Sequence, residues 1–355
     1  MSIIAKAPGK LVLIGEYAVL EGAPALVTSV NRYACITIRR LVKTPNILHS
    51  PTLNMLHIPF QINETGKIDF PQSLTPDMSK KIKFFKDIME FLLKRSIGNK
   101  NLPAVEITIN TDDFYLKDTG EKLGIGSSAA LTVALVYGLI HEFSSIPSIK
   151  TELLYEISSN LHFKIQKSMG SGIDIAASSF GGILEFRRID KHQAEVQKRK
   201  KPKNFFIIPI WSGYSTLTTS MINRVKIFKK AQPIIYSDIM QKLYHISQKA
   251  CIAFKKEKIS EFLELSDDYF SHLKILSDES RADIISNTHM KIAGFVKSAG
   301  AAYKISGAGG GDIGIALTDS AAISDKVIKA VLNAGFHVLN FNFDQSGPYI
   351  KSRVN

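Results

Sequence analysis

The chain has 355 residues, 45% of them hydrophobic and 22% charged, which is an ordinary balance for a globular protein of about two domains. Cys35 and Cys251 are the only cysteines, so a disulfide framework and a cysteine zinc site are excluded, and the longest apolar run, residues 131–140, is far short of a membrane span. Forty-five Lys and Arg against 32 Asp and Glu leave +13, a surplus that steers anions without choosing among nucleic acid, membrane surface and phosphorylated metabolites.

In chain order, residues 10–14 (KLVLI) and 33–38 (YACITI) read as strands, separated by the turn signal Gly22-Ala23-Pro24. Residues 45–78 read as an irregular or β-rich excursion. Residues 79–95 place Ile82, Phe85, Ile88, Met89 and Leu92 at helical spacing, with Ser79 as the expected N-cap and the lysines as a solvated face. A strand at 105–109 and a polar stretch lead to Gly124-Ile125-Gly126-Ser127-Ser128-Ala129-Ala130, which opens an apolar helix ending near His141. Residues 151–168 read as helix, and 173–186 as a small-residue helix that becomes a strand after Gly181-Gly182. The polar run 187–204, with KRKKPK at 198–203, is expected to be an exposed loop between strands. A strand at 205–210 follows, then helices near 218–232, 234–254, 258–273 and 285–299. Strands at 302–305 and 313–317 flank a glycine cluster, and a helix at 320–334 and a strand at 337–341 close the pattern. The division this suggests is 1–204 and 205–355. The start MSIIAKAPGK carries two lysines where a signal peptide needs unbroken apolar residues, so the expected location is cytoplasmic.

Four places carry possible chemistry. Gly124 and Gly126 let backbone approach a ligand, and Ser127 and Ser128 open a helix whose free N–H groups suit phosphate. The spacing also fits a dinucleotide G-x-G-x-x-A, but KDTGEK at 117–122 is no strand and no acid follows near 146; no Walker A loop occurs. A plain Gly/Ser helix cap explains this segment alone equally well. Gly307-Ala308-Gly309-Gly310-Gly311-Asp312 holds more glycine than a hairpin needs, which points to a loop packed on another glycine loop or on substrate. Lys10 sits at the mouth of an apolar strand, where a snorkelling surface lysine is the plain alternative. Asp174 precedes Ile-Ala-Ala, so its carboxylate is expected to be partly buried, and an unpaired buried carboxylate is costly. Lys10 is the partner this predicts, while a simple helix cap is the alternative. The nine histidines show no metal-ligand spacing and read as surface or core.

Taken together, Lys-Ala-Pro-Gly-Lys…Gly-Glu-Tyr-Ala-Val (6–19), Gly-Ile-Gly-Ser-Ser-Ala-Ala (124–130) and Ser-Gly-Ala-Gly-Gly-Gly-Asp (306–312) resemble the three signature motifs of the GHMP kinases, over nearly the whole chain. Within that family the segment from His162 through Gln166-Lys167 to Gly170-Ser171-Gly172-Ile173-Asp174 resembles the phosphomevalonate kinases. So do Asp312 and Trp211-Ser212-Gly213 with Thr218–Ser220 downstream. Mevalonate kinases, the second choice, usually have His where Tyr17 stands and a magnesium-binding glutamate where Phe163 stands.

The resemblance implies an α+β fold of two domains, with a left-handed βαβ unit in the first, a helix-plus-small-sheet (ferredoxin-like) second domain, and the active site between them. It implies ATP held by Lys122, Gly124, Ile125, Gly126, Ser127, Ser128 and Ala129, and Mg²⁺ contacted by Ser128. Lys10 and Asp174 are the implied catalytic pair, and Glu16, Tyr17, Ser171, Gly172, Ser306, Gly307 and Ala308 face the acceptor, phosphomevalonate. A phosphate acceptor is already mostly an anion at pH 7 and needs cations rather than a base. Lys10 is the first expected cation, and Lys122, Lys167, Arg187 and Arg188 are the others considered. The rival from another class is a non-catalytic basic nucleic-acid binder, which needs exposed aromatics among clustered Lys and Arg. The aromatics at 84–85 fall on the apolar helix face, so neither nucleic acid nor membrane is expected as a partner, and the chain is expected to be a monomer or homodimer.

Overall fold

The computed structural model describes residues 2–42, 45–97, 102–144, 149–165, 170–190, 193–216 and 218–353. Strand β1 (Ser2–Ile14) pairs antiparallel with β2 (Ala25–Arg40), and the register slips between Pro8 and Gly9. Proline has no N–H to give the ladder, so a bulge there costs little. β3 (Asn46–Ser50), β4 (Met55–Ile62) and β5 (Ile68–Asp69) make up the β-rich excursion. Helix α1 (Pro76–Leu92) starts earlier than its apolar spacing suggests. The Thr75 side chain accepts from the Met78 N–H (3.2 Å) and Pro76 takes the first helical position, so Ser79 lies inside the helix and is not its cap.

β6 (Val105–Asn110) follows, then α2 (Ser127–Phe143), α3 (Thr151–Ile165) and α4 (Ile173–Phe180). α2 packs on β1, β2, α3 and α4, which explains why it is apolar on nearly every side. β7 (Ile183–Arg188) pairs with the first part of β2, whose later part pairs with β6. The polar run beyond β7 is not the expected loop. It forms β8 (Ala194–Arg199) against β7, with Val196 packed on the core and Arg199 donating to Glu185 (2.9 and 2.6 Å). Its charge suits an edge strand, where lysine and arginine discourage further pairing.

The second domain comprises β9 (Phe206–Trp211), α5 (Thr218–Ala231), α6 (Pro233–Lys255), α7 (Ile259–Ser280), α8 (Asn287–Ser298), β10 (Ala302–Ile305), β11 (Ile313–Thr318), α9 (Ala321–Asn333) and β12 (His337–Val338). Its sheet runs β10-β11-β9-β12, antiparallel throughout, a split βαβ arrangement. α7 continues past 273 because Leu276, Ser277 and Ser280 are also buried, whereas the expected strand at 337–341 is cut to two residues.

A strand missing from the sequence reading, β13 (Tyr349–Arg353), returns to the first sheet and pairs with β1 from Ser2↔Arg353 to Lys6↔Tyr349. The last strand of the 205–355 stretch therefore belongs to the first sheet. Asp344 pins the tail. Its carboxylate accepts from Tyr33 Oη (2.5 Å) and from the N–H groups of Ser346 (2.9 Å) and Gly347 (2.8 Å), and its carbonyl accepts from the Gly182 N–H (2.6 Å). Among the described residues the first sheet has nine strands, in the order β13-β1-β2-β6-β3-β4-β5 with β7 and β8 branching from β2. No described helix is long and apolar enough to cross a membrane.

Candidate active site

The three glycine-bearing stretches, which lie far apart in sequence, meet around a cavity of about 380 Å³ lined from both parts of the chain. Direct hydrogen bonds join them. The Lys10 N–H donates to the Ile125 carbonyl (2.9 Å), the Val12 N–H donates to Ser306 Oγ (2.8 Å), and Tyr17 Oη donates to the Ala308 carbonyl (2.6 Å). The loop at 307–312 does pack on another glycine loop: at Gly124 (φ +72°) a Cβ would overlap the Asp312 carboxyl.

One wall is the start of α2. Gly126 (φ +81°) is its N-cap, and Ser127, Ser128 and Ala129 form the first turn, where N–H groups have no intrahelical acceptor. Such a terminus carries partial positive charge and receives phosphate oxygens. Lys122 also lines the cavity. Ile125 is buried behind the wall and contributes only its carbonyl.

Facing that terminus is Lys10, a residue only 5% exposed. Its side chain threads between two glycines: a Cβ on Gly126 would lie 3.2 Å from its Cγ, and one on Gly307 3.4 Å from its Nζ. The ammonium ends 3.4 Å from Asp174 Oδ1, in the first turn of α4. The expected pairing is present, while the Asp174 side chain is 40% exposed and so less buried than its apolar neighbours suggest. Before it, Ser171 lines the cavity and accepts from the Ile173 N–H (3.3 Å), and Gly172 forms the N-cap of α4 away from the cavity wall.

Two residues at the cavity were missed or under-read. His162 is placed by α3 so that its Nε2 lies 3.3 Å from Ser128 Oγ, and burial lowers its pKa against the pull of Asp174. It shares a helix face with the buried Tyr155 and Ser158, and a histidine on such a stripe was the available signal. Asp312 also lines the cavity, and burial raises its pKa to about 6, opposed by a backbone hydrogen bond from Thr216 and the charges of Lys10 and Lys122.

Glu16 and Tyr17 line the cavity, as do Ser306, Gly307 and Ala308. The Glu16 carboxylate, however, turns inward to the ammonium of Lys304, a wholly buried residue the sequence reading passed over. A lysine inside the short apolar strand β10 was its signal. Burial raises the pKa of Glu16 and lowers that of Lys304, and their mutual attraction opposes both shifts. Of the other cations considered, Arg187 donates to the Gly22 carbonyl (3.3 Å) and Lys167 lies outside the described residues, as does Gln166. Arg188 stands over the Phe163 ring (5.8 Å to its centroid) and donates to the carbonyl of Gly170 on the cavity wall (3.2 Å).

Among the described residues no group of three His, Cys, Asp or Glu could hold a metal ion. Magnesium keeps several waters and binds through one or two carboxylates plus substrate phosphates. The Ser128 hydroxyl and the Asp174 carboxylate, both on the cavity wall, fit an ion that arrives with nucleotide phosphates rather than one held by protein alone.

Residues 83–182 match the family model "GHMP kinases N terminal domain". A mevalonate kinase from Archaeoglobus fulgidus is 26% identical over 87% of this chain and 90% of its own length. A phosphomevalonate kinase from Streptomyces sp. is 24% identical over 91% and 92%. The solved structure of the Streptococcus pneumoniae phosphomevalonate kinase, in complex with phosphomevalonate and AMPPNP, superposes with a TM-score of 0.77 at 19% identity, covering 96% of this chain and 99% of that one.

Proposed function

The chain carries a GHMP kinase N-terminal domain and is a phosphotransferase, and on that footing we propose that it moves the γ-phosphoryl group of ATP onto the phosphate of 5-phosphomevalonate. The products are 5-diphosphomevalonate and ADP. One observation carries the reading: an ammonium held between two glycines, beside a carboxylate, opposite a helix N-terminus in a single cavity.

The first turn of α2 receives the β- and γ-phosphates. An acceptor phosphate oxygen attacks the γ-phosphorus, the bond to the β–γ bridging oxygen breaks, and ADP departs with that electron pair. Phosphoryl transfer depends mostly on positioning and charge stabilisation, and Lys10 supplies both to the moving group. Asp174 fixes the direction of Lys10. With a phosphate acceptor it need not take a proton, because the monoester is already ionised at pH 7. Ser128 and Asp174 would hold a magnesium ion that arrives with the nucleotide, which would supply charge to offset that of the phosphates.

The acceptor assignment is supported at position 163. Mevalonate kinases place a carboxylate there, whereas here Phe163 carries the Arg188 guanidinium over its ring. A cation behind the cavity wall, where those kinases keep a magnesium-binding anion, adds to the positive charge that two phosphorylated substrates require. A second reading, phosphorylation of the mevalonate hydroxyl, is favoured by the wall charges: Glu16, Asp174 and Asp312 stand against Lys10 and Lys122. In that reading Asp174 accepts the hydroxyl proton.

Coupled ADP release against phosphomevalonate, mevalonate, homoserine and galactose separates these. Phosphomevalonate is expected to win over mevalonate by roughly 10²-fold or more in kcat/KM, since unfilled phosphate contacts penalise the shorter acceptor. The reverse order establishes the second reading, and ADP release with none of the four refutes this assignment altogether.

A further inference from the structure

Lys304 lies on β10 with no exposed surface, and the transfer step above does not use it. Its ammonium donates to Glu16 Oε1 and to the Ile305 carbonyl (2.5 Å), while Glu16 Oε2 is sealed off without a hydrogen-bond partner. The titratable groups facing Glu16 are Lys304 from β10, Lys10 from β1, the neighbouring Tyr17, and Tyr269 of α7, whose hydroxyl donates to the Glu16 carbonyl (2.5 Å). The charge of Lys10 acts on both members of the pair, raising the attraction on Glu16 and the repulsion on Lys304.

Glu16 thus has one ammonium bound to it and a second, Lys10, lining the same cavity, and another carboxylate, Asp174, stands 3.4 Å from that second ammonium. Which ammonium satisfies Glu16 decides where Lys10 points. A buried carboxylate stripped of its partner is strongly unfavourable. It either takes up a proton or draws in the next cation, and Lys10 is the next cation. We propose that Lys304 is a positioning residue of the transfer site: by occupying Glu16 it leaves the Lys10 ammonium to Asp174 and the phosphates. The inference rests on the kinase reading for its meaning, but its geometry does not.

The test compares Lys304→Met, Glu16→Gln and the double variant with the parent. ADP release is measured per folded molecule, and trace acetylation of Lys10 by acetic anhydride is read by peptide mass spectrometry. Lys304→Met is expected to lose about 10²-fold in kcat, the scale of a small misplacement of a reacting group, with little change in KM for ATP. Its Lys10 acetylation is expected to fall as the ammonium turns inward. The loss deepens as pH rises and Glu16 ionises, and eases as pH falls and Glu16 takes a proton. In the double variant the carboxylate is gone, so kcat and labelling recover and the extra pH dependence vanishes.

A merely structural ion pair predicts otherwise: kcat per folded molecule unchanged in Lys304→Met, or a loss equal at every pH that Glu16→Gln does not relieve. Either result overturns the proposal. Where Lys304→Met fails to fold, Glu16→Gln against the double variant decides. Removing Lys304 is then expected to leave turnover equal or better, and a further loss overturns the proposal. A parent that releases no ADP refutes the kinase assignment, while Lys10 labelling still decides the role of Lys304.

Discussion

His289 on α8 ties the third glycine loop to the body of the second domain, and its removal should change how stability depends on pH. Its Nδ1 faces Tyr303 Oη and its Nε2 the Gly311 carbonyl, each at 2.8 Å, in a fully buried site. Burial lowers its pKa from 6.5 to about 4, partly opposed by the bond to Gly311. Between those values the unfolded chain holds a proton that the folded chain does not. Stability from this residue is therefore present above pH 6.5 and is lost as pH falls toward 4. At 1.36 kcal/mol per unit the full span is about 3 kcal/mol, of which about 2 is gone by pH 5. Urea unfolding of His289→Gln and the parent, followed at Trp211, the single tryptophan, reads this directly. The stability gap between them should narrow by about 2 kcal/mol from pH 7 to pH 5. A gap that stays constant over that range refutes the argument.

Asp312 is expected to act in the opposite sense, because its folded pKa of about 6 lies above the unfolded 3.8. Its contribution falls as pH rises from 3.8 through 6, and Asp312→Asn should flatten that fall by roughly 2–3 kcal/mol at most, reduced by partial exposure. Lys10→Met is expected to abolish turnover with every acceptor, and Asp174→Asn to lower kcat by roughly 10²–10⁴-fold; near-parental rates in Asp174→Asn would move the active centre elsewhere. Gly124→Ala forces a Cβ into Asp312 at a positive φ and should cost about 1–3 kcal/mol in urea unfolding while raising KM for ATP. Tyr17→Phe removes the bond to Ala308 and should cost about 1 kcal/mol, with an unchanged unfolding midpoint counting against it.

The sequence made much of the site readable because its chemistry is local or expensive. Gly124–Ala130 announces a helix start that can meet phosphate, and Asp174 before an apolar helix asks for a cation, which the fold provides as Lys10 from the opposite end of the domain. The glycine cluster at 307–312 likewise states that something must come close. What could not be read depends on partners chosen in three dimensions. β8 is polar enough to be a loop and becomes a strand only because β7 offers an edge. Lys304 looks like any strand lysine until Glu16 arrives beside it. The apolar period alone points to Ser79 as the start of α1, whereas the Thr75-Pro76 pair starts it one turn earlier.

The path of the tail bears on how the protein is made. β1 carries Lys10, and the outer edge of its first part, Ser2–Lys6, is covered by β13, which follows the whole second domain in the chain. As the polypeptide leaves the ribosome, the first sheet keeps an open, largely apolar margin until the segment pinned by Asp344 folds back. A fragment cut after the first domain would expose that margin permanently, so the strand that carries Lys10 gains its outer neighbour only once nearly the entire polypeptide has been synthesised.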